Sequence, residues 1–325
     1  MNELLIGIDI GGTTVKTGII DIKGTIIKKW EIPTNTQNGG ESIVDDIWNS
    51  IIEKIDLLRV NKASIIGIGV GAPGFIDSEA GYVYEAVNIG WKNLDLANML
   101  KEKSGLPVFV ENDANIAVLG ENWTGAGNQA DNLIAITLGT GVGGGIIANG
   151  SILSGENGMA GELGHIQVVE NGYACNCGKY GCLETVTSAT GIVRQAMEKI
   201  SEYPDSVLGE TFRKKQAITS KEIFELAKKG DNLSNSIIKR TADVLGKVIA
   251  NMGVIINPSN VLIGGGVSSA GDQLISEIRI AFEHHALPRV SDACEIKAAQ
   301  LGNDAGIIGG AYLVLERINR VENQS

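Results

Sequence analysis

Proline is scarce, with 6 in 325 residues. No Gly-X-Y period runs through the chain and no tract has low complexity, so a collagen-like or linker-dominated protein is excluded. No basic block stands out either. Lys and Arg number 27 against 38 Asp and Glu, a formal net charge of −11, and generic nucleic-acid binding is not expected on that balance. The longest uncharged stretch, 132–155, is too rich in Gly, Asn, Ser and Thr to span a membrane. Met1 to Leu5 leads straight into a strand-like run with no charged segment ahead of an apolar core, so no secretory signal is read and a cytoplasmic location is expected.

Glycine, by contrast, is abundant: 43 residues, close to twice the usual share of about 7%. With so little proline beside it, this excess needs local explanations such as turns, close backbone approach or ligand cradles. A length of 325 fits two domains, each able to bury its own core.

The pattern along the chain is α/β. Leu4–Ile10 and Val15–Ile20 are β-rich runs around a Gly/Thr turn, and a third strand is expected near 24–29. Ile43, Val44, Ile47, Ile51, Ile55 and Leu58 recur at helical spacing. A strand over 64–71 leads into the turn Ala72-Pro73-Gly74. A helix over 94–103, a strand at 108–110 and a helix from Asp113 follow. The second half begins again: 133–147 reads strand, glycine turn, strand. Gly11 laid over Gly139 aligns the two segments, an internal duplication. Helices at 188–201, 220–229, 232–255, 272–284 and 304–318 alternate with strands at 260–263 and 295–299.

Three glycine turns follow strands: Gly11-Gly12-Thr13-Thr14, Gly139-Thr140-Gly141-Val142-Gly143 and Gly264-Gly265-Gly266. Without Cβ atoms, backbone N–H groups can approach phosphate oxygens closely; Thr hydroxyls add donors and Lys16 adds charge. One such turn is equally a tight hairpin, but three spread over both halves point to a nucleotide. No G-x-x-x-x-G-K-[ST] is present. Gly139-x-Gly141-x-x-Gly144 matches the dinucleotide pattern, yet Ile146-Ile147 reads as strand where that pattern needs a helix.

Glu111-Asn112-Asp113-Ala114-Asn115 follows a strand and opens a helix. There Asp113 is either a carboxylate held ionised to accept a proton or an N-cap. Further on, Gly161-Glu162-Leu163-Gly164-His165 precedes Cys175-x-Cys177-Gly178-x-x-Gly181-Cys182-Leu183-Glu184. Three thiolates and an imidazole make a closed four-ligand set of the kind found in structural zinc sites, with glycines that let the backbone wrap an ion. The histidine is notable because the chain has only 3. Cys294 stands alone and reads as a small core residue.

These residues resemble the ROK family of sugar kinases, and most of all the bacterial ATP-dependent glucokinases within it. The pattern from Leu163-Gly164-His165 through Cys175, Cys177, Cys182 and Glu184 carries the resemblance. Asp9-x-Gly11-Gly12-Thr13 is shared more widely among actin-like sugar kinases. The resemblance implies two actin-like (ribonuclease H-like) α/β domains with a duplicated βββαβα-type core and a cleft between them. It implies an N-terminal domain over 1–120, joined by the C-terminal helix at about 304–325, and a second domain over 121–303 carrying a zinc-binding loop at 162–184.

By the same resemblance Asp9, Gly11, Gly12, Thr13 and Thr14 form one phosphate loop, and Thr140, Gly141 and Gly143 belong to another. Gly265, Gly266 and Val267 lie at the adenosine. Asp113 is the base for transfer to glucose O6. Asn88, Asn112, Glu162, His165 and Glu184 contact sugar hydroxyls, with Gly74 near the sugar, and His165, Cys175, Cys177 and Cys182 hold zinc. ATP, Mg²⁺ and Zn²⁺ are the implied cofactors, and a homodimer or tetramer the implied assembly. The family leaves other sugars open (N-acetylmannosamine, N-acetylglucosamine, fructose, allose), polyphosphate as donor, and a sugar-sensing regulator. The regulators carry an added N-terminal DNA-binding domain, which a phosphate loop starting at Asp9 does not leave room for.

Overall fold

A computed structural model describes residues 3–267 and 272–322. The chain divides into two compact units, the first made of 1–129, 152–160 and 301–325, the second of 130–151 and 161–300. The helix begun at Asp113 runs on to Thr124 within the first unit. Residues 323–325 of the expected closing helix lie outside the described residues.

In the first unit, β1 (Leu4–Ile10), β2 (Thr14–Asp21) and β3 (Ile26–Pro33) form an antiparallel meander. Then come α1 (Ile43–Leu58), β4 (Ile65–Ala72), β5 (Phe75–Asp77), β6 (Tyr82–Ala86), β7 (Trp91–Leu94), α2 (Leu96–Ser104), β8 (Val108–Asn112) and α3 (Asp113–Thr124). The sheet order is β3-β2-β1-β4-β8, with β4 and β8 parallel to β1.

Leu5, Ile6, Ile8 and Ile10 of β1 are fully buried, because both faces of the sheet are covered. On one face Ile6, Ile8 and Ile10 pack with Ile43, Val44 and Ile47 of α1. On the other, Leu5 and Ile20 pack with Ile307, Ile308 and Ala311 of α11 (Ala305–Glu322), the last helix of the chain, which belongs to this unit. That approach is close: a Cβ on Gly7 would lie 1.8 Å from the Ile307 carbonyl oxygen, and one on Gly309 would lie 1.6 Å from that of Ile116 in α3. Part of the glycine excess therefore serves helix packing on the sheet and not turns.

In the second unit, β9 (Leu133–Leu138), β10 (Val142–Ala148) and β11 (Ser151–Ile152) precede α4 (Glu184–Thr187), α5 (Ala189–Glu202), α6 (Val207–Lys215), α7 (Ser220–Lys228) and α8 (Asn232–Ile256). β12 (Asn260–Gly264), α9 (Asp272–His285), α10 (Pro288–Ser291) and β13 (Glu295–Ala298) follow. The sheet order β11-β10-β9-β12-β13 repeats that of the first unit strand for strand. The register agrees: Ile10 pairs with Val15 around the first loop and Leu138 with Val142 around the second. This is the duplicated actin-like core that the alignment of Gly11 with Gly139 anticipates, with the second loop one residue shorter.

Two features differ from the sequence expectation. The strand expected near 24–29 is β3, which runs on to Pro33; Trp30 and Ile32 pack against the α1 side, and Trp30 Nε1 donates to Ser50 Oγ at 3.1 Å. The small sheet β5-β6-β7, the strand β11 and the helices α4, α6 and α10 are additional. Among the described residues no helix is long and apolar enough to cross a membrane.

Candidate active site and metal centre

Parallel pairing places the loops that carry chemistry in the first unit. Asp9, Gly71 and Glu111 lie in one row across β1, β4 and β8, and Ala72 pairs with Asn112 in the next. The segments leaving these strands are Gly11–Thr14, Pro73–Gly74 and the start of α3, so they emerge side by side at the carboxyl ends, where open α/β sheets bind ligands.

Gly11 N–H donates to Thr14 O at 2.9 Å, and the loop is held to β3 by Thr34, whose Oγ1 donates to Gly11 O at 2.7 Å. A Cβ on Gly12 would come within 3.8 Å of Asn88 Cβ, so an expected phosphate-loop residue and an expected sugar contact are neighbours. Asp9 and Lys16 face each other at 3.8 Å. Burial raises the Asp9 carboxyl above its usual value, and Lys16 offsets this in part. Lys16 also lines a recess with Lys29, Trp30 and Asp304.

The N-cap of α3 is Asn112. Its Oδ1 accepts Ala114 N–H at 2.9 Å, and its Nδ2 donates to Gly74 O at 3.3 Å. Asp113 is therefore not the cap; it sits in the first helical turn, half-buried, with Oδ1 accepting Ala114 N–H at 2.8 Å. Glu111, buried, braces the segment by accepting Asn112 N–H at 2.9 Å and Asn115 Nδ2 at 3.0 Å.

The second unit repeats the arrangement. Gly139 N–H donates to Gly141 O at 2.9 Å, and the start of α5 grips the loop: Ala189 N–H donates to Gly139 O at 2.8 Å, Thr190 Oγ1 to Thr140 O at 3.0 Å. Gly143 lies in β10 opposite Thr137. The turn after β12 leans on the same loop, because Val267 N–H donates to Leu138 O at 2.9 Å; at Gly265 (φ +85°) a Cβ would meet that oxygen at 2.4 Å. Gly266 and Val267 line a pocket with Ser220, Lys221, Phe224, Glu225 and Lys228. No motif in the sequence marks α7 as part of this pocket. Its helical periodicity was visible, but nothing in the sequence signals that α7 lies beside the Gly265–Val267 turn.

His165, Cys175, Cys177 and Cys182 converge, with all four ligand atoms within 4.8 Å of one another. Cys177 Sγ lies 3.7 Å from Cys182 Sγ, and Cys175 Sγ 3.5 Å from His165 Nδ1. A tetrahedral centre with Zn–S of about 2.3 Å and Zn–N of about 2.0 Å has edges of roughly 3.5–3.8 Å, so the donor set fits zinc. Burial and the neighbouring thiols push Cys182 up to about 12. Cys177 is lowered, chiefly by the Lys179 backbone N–H. Without a cation, sulfurs this close cannot all ionise. His165 presents Nδ1 to this cluster and Nε2 to Glu162 Oε2 at 3.9 Å, so one ring can serve both of its expected roles. Glu184 accepts Val142 N–H at 3.0 Å through Oε2. Cys294 is buried in the core, as its isolation in the sequence suggests, and burial pushes it up to about 11.

A profile of the ROK family matches residues 5–317. The chain belongs to the ROK family. Among similar ROK relatives, a glucokinase of Halalkalibacterium halodurans is 51% identical over 98% of this chain and 96% of its own length. A glucokinase of Thermotoga maritima is 40% identical over 97% of this chain and 98% of its own. Among solved structures, a ROK family glucokinase from Streptomyces griseus in complex with glucose and AMPPNP is 36% identical, with a TM-score of 0.75 over 96% of this chain and 99% of that one.

Proposed function

We propose that this ROK family chain transfers the γ-phosphoryl group of ATP to O6 of glucose, giving glucose 6-phosphate and ADP. The observation that carries the proposal is the likeness to glucokinases along nearly the whole chain, at 51% identity to one of them. The AMPPNP and glucose bound by the Streptomyces griseus structure support ATP as donor and glucose as acceptor.

The local geometry supports roles for individual residues. Asp113, in the first turn of α3, takes the proton of the 6-hydroxyl as that oxygen attacks the γ-phosphorus and the bond to the β-phosphate oxygen breaks. General-base help of this kind is worth about 10²–10⁴-fold. Asn88, Asn112, Glu162, His165 and Glu184, with Gly74, offer the donors and acceptors that orient sugar hydroxyls. Asp9, Gly11, Gly12, Thr13, Thr14 and Lys16, and Thr140, Gly141 and Gly143, are the residues assigned to the phosphates. Gly265, Gly266 and Val267 face the adenosine, joined by α7. Backbone N–H groups and the Mg²⁺ that accompanies ATP would offset the charge on the phosphates, beside Lys16, Lys221 and Lys228.

Zinc held by His165, Cys175, Cys177 and Cys182 would supply structure and not chemistry, since four protein ligands close the site. His165 would then keep its remaining proton on Nε2, a fixed donor toward substrate. A homodimer or tetramer in the cytoplasm completes the reading.

The deciding experiment is a sugar panel crossed with ATP and polyphosphate, read as phosphorylated sugar formed. Glucose with ATP is the expected best pair. A higher kcat/KM for another sugar, or for polyphosphate, overturns the assignment.

A further inference from the structure

We infer that Glu184 couples the sugar-facing metal loop to the second phosphate loop, so that either ligand orders the binding site of the other. The inference rests on the proposed function and concerns how its two substrates communicate.

Residues 182–190 touch both partners. Cys182 belongs to the metal cluster, and Glu184 follows two residues on. The Glu184 carboxylate looks two ways: Oε1 lies 3.8 Å from Cys175 Sγ, and Oε2 accepts the N–H of Val142 at 3.0 Å. The same segment then grips Gly139 O through Ala189 N–H and Thr140 O through Thr190 Oγ1. The contact is tight. A Cβ on Gly141 would lie 2.4 Å from Glu184 Oε2, and one on Gly164, in the turn that carries His165, would lie 2.2 Å from Val142 O. Val142 is thus held on its N–H by Glu184 and crowded on its carbonyl by the histidine turn. A carboxylate has room for several donors, so a sugar hydroxyl on Oε1 fixes the carboxylate plane that holds Val142 through Oε2. A phosphate that orders the 139–142 loop fixes the same plane from the other side. By linkage the two effects are equal.

Two loop glycines separate this coupling from general damage. In Gly141→Ala the new methyl collides with Glu184. In Gly143→Ala it meets Thr137 Oγ1 at 2.7 Å instead. Calorimetry measures glucose affinity with no nucleotide present, and AMPPNP affinity with Mg²⁺ and no sugar. Gly141→Ala is expected to weaken glucose about tenfold although it lies in the phosphate loop, while Gly143→Ala stays within about twofold of wild type. Glu184→Ala, with zinc content unchanged, is expected to weaken AMPPNP about fivefold or more with no sugar present. Unchanged glucose affinity in Gly141→Ala, or equal losses in both glycine variants, overturns the coupling. If Gly141→Ala does not fold, the Glu184→Ala arm decides, and unchanged AMPPNP affinity there overturns it. A wild-type protein that binds no glucose overturns the proposed function itself, a result distinct from flat variant arms on a protein that does.

Discussion

Asn112 donates its side-chain amide to the carbonyl oxygen of Gly74 at 3.3 Å while its Oδ1 accepts the N–H of Ala114 at 2.9 Å. One side chain thus caps α3 and ties it to the turn after β4. The two duties separate by substitution. Asn112→Ser keeps a capping oxygen but is too short for the tie, so its melting temperature should stay near wild type while KM for glucose rises. Asn112→Ala loses the cap as well, at a cost of about 1 kcal/mol, and should melt lower. Equal melting of the two variants would refute the capping role.

Asp113 follows the Asn112 cap in the first turn of α3 and is the proposed base. Asp113→Asn keeps shape and helix position. It should leave folding and glucose affinity close to wild type and lower kcat by about 10²–10⁴-fold. Retained turnover would remove Asp113 from the role of base.

Much of this was legible in the sequence because it was written locally. The Gly/Thr turns lie between apolar strands, and Gly11 over Gly139 exposes the repeat that the two sheet orders carry. The convergence of His165 with three thiols was legible because the thiols fall between 175 and 182. Three things were not. The strands β5 and β7 are three and four residues long, too short for a period to show. The place of α7 beside Gly266 depends on how distant segments pack. The split of His165 between Nδ1 and Nε2 is a matter of ring orientation that no spacing encodes. Close backbone approach was one of the explanations open for the glycine excess, but which glycines serve it was not legible: Gly7 and Gly309 make room for helix backbone, and a glycine in a strand or helix looks the same in sequence whatever it faces.

Asp9 gives a pH dependence. Its carboxyl is raised, first by burial, against a smaller opposing effect of Lys16. The native state therefore holds this proton more tightly than the unfolded chain does. Its contribution is most favourable below the usual aspartate value of 3.8 and is lost as pH rises through the raised value, so ionised Asp9 costs stability at pH 7. Asp9→Asn should melt at or above wild type at pH 7, with the gain shrinking toward pH 4, while binding of AMPPNP with Mg²⁺ falls. A variant that melts well below wild type at pH 7 would contradict this sign.

The metal loop should lose order without the rest of the chain unfolding. Its own packing is thin: Cys177 is exposed, and residues 170–180 are mostly exposed or half-buried, whereas Val261, Leu262 and Ile263 of β12 are buried. Cys177→Ser, or a strong chelator, should remove bound zinc and speed amide exchange across 162–184. Protection in β12 and α8 should persist. Zinc-free protein with unchanged exchange in the loop would show that the thiols fold the loop unaided.

Gly74 and Gly105 both have positive φ, +93° and +70°, but for different reasons. Gly105 ends α2 as a left-handed cap, and a Cβ there meets nothing within 4 Å. Gly105→Ala should cost only the left-handed penalty, about 1–2 kcal/mol, and leave kinetics untouched. At Gly74 a Cβ would lie 2.0 Å from Glu85 O, so the backbone of the turn must move, and with it the carbonyl that holds Asn112. Gly74→Ala should therefore destabilise more than Gly105→Ala and raise KM for glucose as well. The comparison isolates backbone conformation in one variant from site geometry in the other. Matching losses in melting temperature, with glucose KM unchanged in both, would mean that the Gly74 turn has no part in holding Asn112.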